Sequence, residues 1–167
     1  RKIGVIGSGA MGNGIAHVSA LASFDTILLD INDGLLELGL KTIESNLKRQ
    51  LEKEKITQLD LNRALEKIKL TTNYDDLSDC DLIIEAATEN QSIKEKIFKS
   101  IDGICKAEAI LATNTSSISI TTIANVTKRP EKVIGMHFMN PVPVMKLIEV
   151  VRGEKTNDDT TNKIIEL

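Results

Sequence analysis

His137 and Glu149 have the residue types and the spacing of an acid–base pair. Both are equally far along the chain from Pro143, and the prolines of Asn140–Pro143 predict a turn or an extended bend there. If the chain reverses at this point, an antiparallel pairing brings the two residues opposite each other. A neighbouring carboxylate fixes the tautomer of a histidine and raises its basicity. Such a histidine can take a hydroxyl proton while a hydride leaves the same carbon. The spacing leaves a second interpretation open, an ordinary partly buried histidine on a strand.

A glycine-rich turn near the start of the chain, Gly7–Gly12, has the pattern of a phosphate-binding loop. It follows a short apolar run and precedes a small, apolar helical stretch. Gly7 allows a tight turn, Gly9 lets a pyrophosphate approach the backbone, and Gly12 lets the helix pack close to the strand. The start of that helix offers N–H groups and a positive dipole end to phosphates. The turn therefore predicts a dinucleotide site, with a chance glycine-rich loop as the alternative.

Asp30 ends the second apolar run of the chain, Thr26–Leu29. An acid at the end of the second strand accepts hydrogen bonds from the adenosine ribose in dinucleotide-binding folds. A carboxylate in that place would repel a 2′-phosphate. We therefore expect NAD rather than NADP.

Other polar clusters follow apolar runs that we interpret as buried strands. They are Glu85–Asn90, Asn114–Ser117 and His137–Asn140. Because open α/β sheets bind ligands at the carboxyl ends of their strands, these clusters and Asp30 are expected to meet along one edge. Ser116 and Ser117 have two interpretations: a helix cap before the following apolar stretch, or a hydroxyl that binds a substrate oxygen. His17 is expected to be a packing or surface residue.

The alternation of apolar runs and helical patterns predicts an α/β fold with a doubly wound, mostly parallel sheet. We expect one domain over residues 1–167, with a helical arm at about 33–67 inserted after the second strand. Asp33 is the expected cap of a helix over 34–53, and Thr57 that of a helix over 58–66. The basic end of the first helix is either a solvated face or a phosphate-binding edge. The last strand is expected at 145–151.

Composition excludes several classes of function. The chain of 167 residues has a net charge of −3 and only 2% aromatic residues, so neither a basic nucleic-acid surface nor a base-stacking platform is expected. No apolar run approaches the length of a membrane span, and no metal site is predicted. Cys80 and Cys105 form no CxxC pair, which favours free thiols and a cytoplasmic location. Because the chain starts without Met, removal of a leader stays open.

Four stretches resemble the L-3-hydroxyacyl-CoA dehydrogenases, bacterial 3-hydroxybutyryl-CoA dehydrogenases above all. They are Gly4–Gly12, Ile83–Ala86, Ala112–Ser117 and Gly135–Val150. Together they span nearly the whole chain, and the last is very specific. Met139 departs from the family, in which Phe is usual at this position; the departure alters local packing and leaves the acid–base residues intact.

The resemblance implies a role for each matching position. For catalysis it implies His137 with its partner Glu149, Ser116 near the substrate 3-oxygen and the nicotinamide, and Asn140 to complete the polar cluster. For NAD binding it implies Gly7, Gly9, Ala10, Met11, Gly12, Asp30, Ala86, Glu89, Lys94 and Asn114. For the CoA nucleotide it implies Lys53 and the neighbouring Asn46, where some relatives have serine.

The implied reaction is the NAD-dependent interconversion of a 3-hydroxyacyl-CoA and a 3-oxoacyl-CoA. The family carries a second, helical domain after this one, which supplies much of the acyl pocket and the subunit contact. We expect that domain to be absent here, the 167 residues alone to turn over poorly, and the full-length protein to be a homo-oligomer. Two alternatives stay open: a non-catalytic NAD-binding module, and a related dehydrogenase that acts on a free hydroxy or sugar acid.

Overall fold

Seven short apolar runs of the chain form a single sheet. The computed structural model describes residues 1–167. In chain order the strands are β1 (Lys2–Ile6), β2 (Asp25–Leu29), β3 (Ile68–Thr71), β4 (Leu82–Glu85), β5 (Ile110–Thr113), β6 (Val133–Phe138) and β7 (Ile148–Arg152).

The strand order is β3-β2-β1-β4-β5-β6-β7. The first six strands of the chain run parallel, and only β7 is antiparallel to its neighbour β6. The order reverses between β1 and β4, which is the point where doubly wound sheets bind their ligands. The predicted fold, a doubly wound and mostly parallel sheet, is confirmed.

Six helices connect and cover the strands. They are α1 (Ala10–Leu21), α2 (Asp33–Glu52), α3 (Gln58–Glu66), α4 (Gln91–Ile104), α5 (Ile120–Ala124) and α6 (Asp158–Ile165). Single turns of 3₁₀ helix occupy Tyr74–Leu77 and Pro130–Lys132. None of the helices combines the length with the hydropathy that a membrane-spanning segment needs.

The core has two layers, one on each face of the sheet. Successive strand residues alternate between them: Val5 and Leu28 pack with α1, α2, α3 and α6, whereas Ile6 and Leu29 pack with α4 and α5. Because both faces are covered, the central strands are apolar at almost every position rather than at every second one.

The predicted arm corresponds to α2 and α3, which lie between β2 and β3. The expected cap Asp33 is wrong: Asn32 caps α2, its side-chain oxygen accepting from Leu35 N at 3.0 Å, and Asp33 is the first helical residue. Thr57 does cap α3, where it forms a reciprocal capping box with Asp60.

The expected start of the last strand at residue 145 is also wrong. The N–H groups of Val144 and Met145 both donate to the carbonyl of Pro141 at 3.0 Å, so the chain is still turning there. The two prolines have no N–H to donate to a ladder. Pairing with β6 therefore begins only at Ile148.

Candidate active site

The imidazole of His137 and the carboxylate of Glu149 form a hydrogen-bonded pair between β6 and β7. The register places the two residues directly opposite each other, and His137 Nδ1 lies 2.7 Å from Glu149 Oε2. Both side chains are partly open to solvent, 25% for His137 and 52% for Glu149. The Nε2 atom has no hydrogen-bond partner within the chain and is free for a substrate. The predicted antiparallel register is confirmed.

The local sequence leaves space beside this pair. His137 is the first partly exposed residue of β6 after four buried ones. Gly135 lies on the same face of the strand, because side chains alternate along it. A Cβ at Gly135 would lie 2.9 Å from Val151 Cβ and 3.0 Å from Ile120 Cδ1. The absence of a side chain at Gly135 thus lets β7 and α5 pack closely beside the His137–Glu149 pair.

Ser116 shares an open cleft of about 360 Å³ with His137 and Glu149. The predicted alternative for Ser116 and Ser117, a helix cap, is wrong. Ser119 caps α5 by accepting from Thr122 N. Ser116 is exposed and makes no hydrogen bond within the chain, so its hydroxyl is free to donate a hydrogen bond to a ligand or to accept one.

Asn140 does not line this cleft. It is exposed, two residues beyond the end of β6, and makes no hydrogen bond within the chain. The structure therefore brings together three of the four residues expected for catalysis and leaves the fourth at the neighbouring turn.

The three glycines of the turn have separate physical roles. Gly7 has a φ of +95°, and a Cβ there would lie 2.7 Å from Ala87 Cα and 2.8 Å from the Ala86 carbonyl oxygen. A Cβ at Gly12 would lie only 1.6 Å from the Gly7 carbonyl oxygen. A Cβ at Gly9 would meet nothing within 4 Å. Gly7 and Gly12 are therefore required by packing within the chain, whereas Gly9 faces open space.

That open space lies at the start of α1. Gly9 is the N-cap of α1 and supplies no side-chain hydrogen bond, so the N–H groups of Ala10, Met11 and Gly12 are left for an anion. The arrangement fits a pyrophosphate, since a helix start with uncapped N–H groups and no side chain in front of it is what such a group needs.

Asp30 follows the end of β2, next to the glycine turn. Its Oδ2 accepts from Ser8 N at 2.6 Å and from Ser8 Oγ at 2.7 Å, and its Oδ1 accepts from Ile31 N at 2.7 Å. The carboxylate is thus held at the strand end where an adenosine ribose is expected. The sequence does not single out Ser8, whose only signal is its place directly after Gly7.

Lys94 is buried against Glu85 rather than open at the surface. Its Nζ lies 2.8 Å and 2.7 Å from the two carboxylate oxygens of Glu85, and neither side chain is more than 2% exposed. Glu85 also accepts from Ala87 N and from Thr113 Oγ1, each at 2.8 Å. The sequence patterns do not predict this network. Its signal was a charged residue at the end of an apolar run, where a buried carboxylate needs a buried cation.

Hydrogen bonds join the polar clusters at the remaining strand ends. Glu89 Oε2 accepts from Thr115 Oγ1 at 2.7 Å and from Ser117 Oγ at 3.2 Å. Asn114 Oδ1 accepts from Phe138 N at 2.8 Å. The clusters after β4, β5 and β6 therefore form one continuous polar edge, as the sequence predicts.

Asn46 and Lys53 line a second, smaller cavity of about 160 Å³ between α2 and the turn that precedes β7. Arg49 and Lys55 line it too, and neither they nor Lys53 has a carboxylate within ion-pair distance. Of the two interpretations of the basic end of the helix, this favours the phosphate-binding edge.

His17 is a packing residue, as expected. It is fully buried on α1, with Nε2 3.0 Å from Gln50 Oε1 and with Nδ1 unpartnered. Burial lowers the pKa of His17, because the charged imidazolium is poorly solvated there.

The sheet, the glycine turn and the acid after β2 define a dinucleotide-binding domain, and comparison with known proteins places it in a family. Residues 2–167 match the family described as 3-hydroxyacyl-CoA dehydrogenase, NAD binding domain. The chain belongs to this family, and its cofactor is NAD.

Its relatives include the 3-hydroxybutyryl-CoA dehydrogenases of Bradyrhizobium diazoefficiens, 52% identical over 96% of this chain, and of Clostridioides difficile, 48% identical over 99%. The crystal structure of (S)-3-hydroxybutyryl-CoA dehydrogenase from Ralstonia eutropha superposes with a TM-score of 0.97, at 49% identity over 99% of this chain. The chain spans 55%, 59% and 59% of the length of these three relatives, respectively.

Proposed function

We propose that the protein interconverts (S)-3-hydroxyacyl-CoA, with 3-hydroxybutyryl-CoA as the first candidate, and 3-oxoacyl-CoA, with NAD as the hydride carrier. The observation that carries the proposal is the imidazole–carboxylate pair of His137 and Glu149, 2.7 Å apart and open to a cleft. Two relatives that are named 3-hydroxybutyryl-CoA dehydrogenases, 52% and 48% identical to this chain, support the same reaction.

In this proposal His137 carries the proton. Glu149 holds Nδ1, which leaves Nε2 to take the proton of the substrate hydroxyl in the oxidative direction. NAD, when bound, would supply the hydride acceptor for the same carbon. The carboxylate of Glu149 stabilises the imidazolium that forms. In the reductive direction the imidazolium returns the proton to the ketone oxygen.

Ser116 and Asn140 are proposed to hold the substrate oxygen in line with His137, which limits unproductive geometries. Ser116 is already in the cleft, with a free hydroxyl. Asn140 follows β6, the strand that carries His137, two residues after its end. Its side chain has to turn toward the cleft when substrate binds.

The proposed contacts with NAD follow the polar edge of the sheet. Backbone groups at Gly7, Gly9, Ala10, Met11 and Gly12 would hold the pyrophosphate. Asp30 would hold the adenosine ribose, and Ala86, Glu89 and Asn114 would lie along the rest of the cofactor. Lys94 is proposed to act in this group as well, although its ammonium is bonded to Glu85.

The proposed site for the CoA nucleotide is the basic cavity beside α2. CoA carries phosphates, and three cations without carboxylate partners line this cavity together with Asn46. Charge-assisted bonds between such groups and phosphate are among the stronger polar contacts in proteins. Lys53 and Asn46 are the residues proposed to bind there.

The proposal is tested by NADH consumption on the complete protein, with acetoacetyl-CoA and, separately, free acetoacetate as substrate. We expect turnover of the thioester with NADH and little with NADPH. Lys53→Ala should raise KM for the thioester about 3- to 10-fold, whereas Lys41→Ala, within α2 but outside the cavity, should not.

Two results would favour the alternatives. Equal turnover of free acetoacetate would indicate a dehydrogenase for free hydroxy acids. NADH binding without turnover of either substrate would indicate a non-catalytic module. The homo-oligomer and the cytoplasmic location stay predictions.

A further inference from the structure

Ser8, the second residue of the glycine turn, binds Asp30 through both its backbone and its side chain. Ser8 is only 4% exposed. Its N–H and its hydroxyl donate to the same oxygen, Asp30 Oδ2, at 2.6 and 2.7 Å. The hydroxyl also lies 2.9 Å from the carbonyl of Leu35, but it has one proton, and a carboxylate is the stronger acceptor. One side chain therefore fixes one oxygen of the acid.

Helix α2 holds Ser8 in this position. A Cβ at Gly39 would lie 3.0 Å from both Ser8 Cβ and the Ser8 carbonyl oxygen, so the absence of a side chain at Gly39 lets α2 pack directly on Ser8. Leu35, one turn earlier on the same helix, faces the hydroxyl. The serine is therefore enclosed, and its hydroxyl has little freedom to leave Asp30.

The count of acceptor sites shows what remains for a ligand. An ionised carboxylate offers about four lone-pair sites, two on each oxygen. Ser8 occupies both sites of Oδ2, and Ile31 N occupies one site of Oδ1. The remaining site, on Oδ1, has a fixed direction as long as Oδ2 is held.

We infer that Ser8 is a positioning residue for cofactor selection. It orients the carboxylate of Asp30 so that the free site accepts from a ribose hydroxyl and the charge cannot turn away from a 2′-phosphate. The inference rests on the proposed role of Asp30 as the ribose-binding acid. It assigns part of the discrimination between NAD and NADP to a residue inside the glycine turn.

Removal of the Ser8 hydroxyl should reduce the preference for NADH over NADPH. In Ser8→Ala the backbone N–H is the one donor left to Oδ2, so the hold on Oδ2 weakens and the carboxylate gains rotational freedom. We expect the Kd of NADH to rise about 3- to 10-fold, because an oriented charged acceptor is partly lost. The Kd of NADPH should rise less or should fall, because the carboxylate of Asp30 can rotate away from the 2′-phosphate that it repels. The ratio of the two Kd values is the readout.

The experiment is a fluorescence titration of the complete protein with NADH and with NADPH. The matched control is Ser100→Ala, which removes an exposed hydroxyl on α4 and should change neither affinity. A lower preference for NADH in Ser8→Ala alone supports the inference.

Two results would overturn it. If Ser8→Ala weakens both cofactors equally, or neither, the hydroxyl has no selective role. Asp30→Asn, measured in parallel, separates the inferred role of Ser8 from the proposed role of Asp30 as the ribose-binding acid. An unchanged preference in Asp30→Asn contradicts the ribose role of the acid and the inference with it. A changed preference there with none in Ser8→Ala contradicts the role of Ser8 alone.

Discussion

Lys94→Met is the substitution whose cost the structure defines most sharply. It removes the ammonium that lies 2.8 and 2.7 Å from the two oxygens of Glu85. The carboxylate, 0% exposed, then retains only two neutral donors, Ala87 N and Thr113 Oγ1. A buried charge that loses its partner costs about 3–5 kcal/mol. In a domain of this size that lowers the melting temperature by about 6–20 °C, at about 2–4 °C per kcal/mol.

The assay is urea unfolding of the variant, with two companions. Glu85→Gln combined with Lys94→Met should be less destabilised than Lys94→Met alone, because no charge is then left buried. Lys163→Met is the matched control. It breaks an ion pair of the same length, 2.7 Å to Asp159, but both side chains are more than half exposed. Its cost should be about 0.5 kcal/mol or less.

Two results would contradict a penalty for the unpaired carboxylate of Glu85: a cost of Lys94→Met no greater than that of the exposed control, or a double variant less stable than the single one. The same variants also test the proposed contact with NAD. If the double variant recovers stability but not NADH affinity, Lys94 contacts the cofactor directly. If it recovers both, the ammonium acts only through Glu85, which holds the loop after β4 against the glycine turn.

Other substitutions give outcomes that separate folding from binding. Gly9→Ala should fold normally but bind NADH weakly, because the methyl group enters only the open space. Gly12→Ala should unfold the domain, since its Cβ would lie 1.6 Å from a backbone oxygen; circular dichroism and NADH titration distinguish the two. Burial lowers the pKa of His17 from its ordinary 6.5. On acidification the unfolded chain therefore takes up a proton first, so stability falls with pH from about 6.5 down to the lower folded-state pKa. In urea midpoints measured across this range, His17→Gln should remove that part of the loss. Burial also raises the thiol pKa of Cys80 to about 12 and that of Cys105 to about 11, so both should resist a thiol reagent in the folded chain and react once it unfolds.

The predictions from sequence were right where the signal was local or set by a turn. The register of His137 with Glu149 follows from the position of Pro143, because a reversal at one residue fixes every pair on either side of it. The glycine turn is recognisable because its three glycines follow a strand and precede a helix.

The errors have physical reasons. Asn32 and Asp33 are equally good cap residues, and the sequence does not say after which of them the helix begins. Met145–Leu147 have the composition of a strand, but the N–H of Met145, like that of Val144 before it, is already used in the preceding turn.

The missed contacts join residues of different elements, 9 to 28 positions apart in the chain. Glu85 is held by Lys94 and by Thr113, and Asp30 is held by Ser8. Such pairs are visible only once the sheet order is known. They are also the contacts that orient the site, so the sequence predicted the residues expected to bind the cofactor better than the residues that support them.

The most direct test of the proposed chemistry is the rate of hydride transfer in His137→Gln, measured in a single turnover with acetoacetyl-CoA and bound NADH on the complete protein. Glutamine keeps a polar group beside Glu149 but cannot carry the proton. We predict a rate lower by about 10²- to 10⁴-fold, with NADH affinity unchanged within about twofold, since the proposed role of the imidazole is proton transfer with the substrate and not a contact with the cofactor. A rate within a few-fold of the unsubstituted protein would contradict proton transfer by His137.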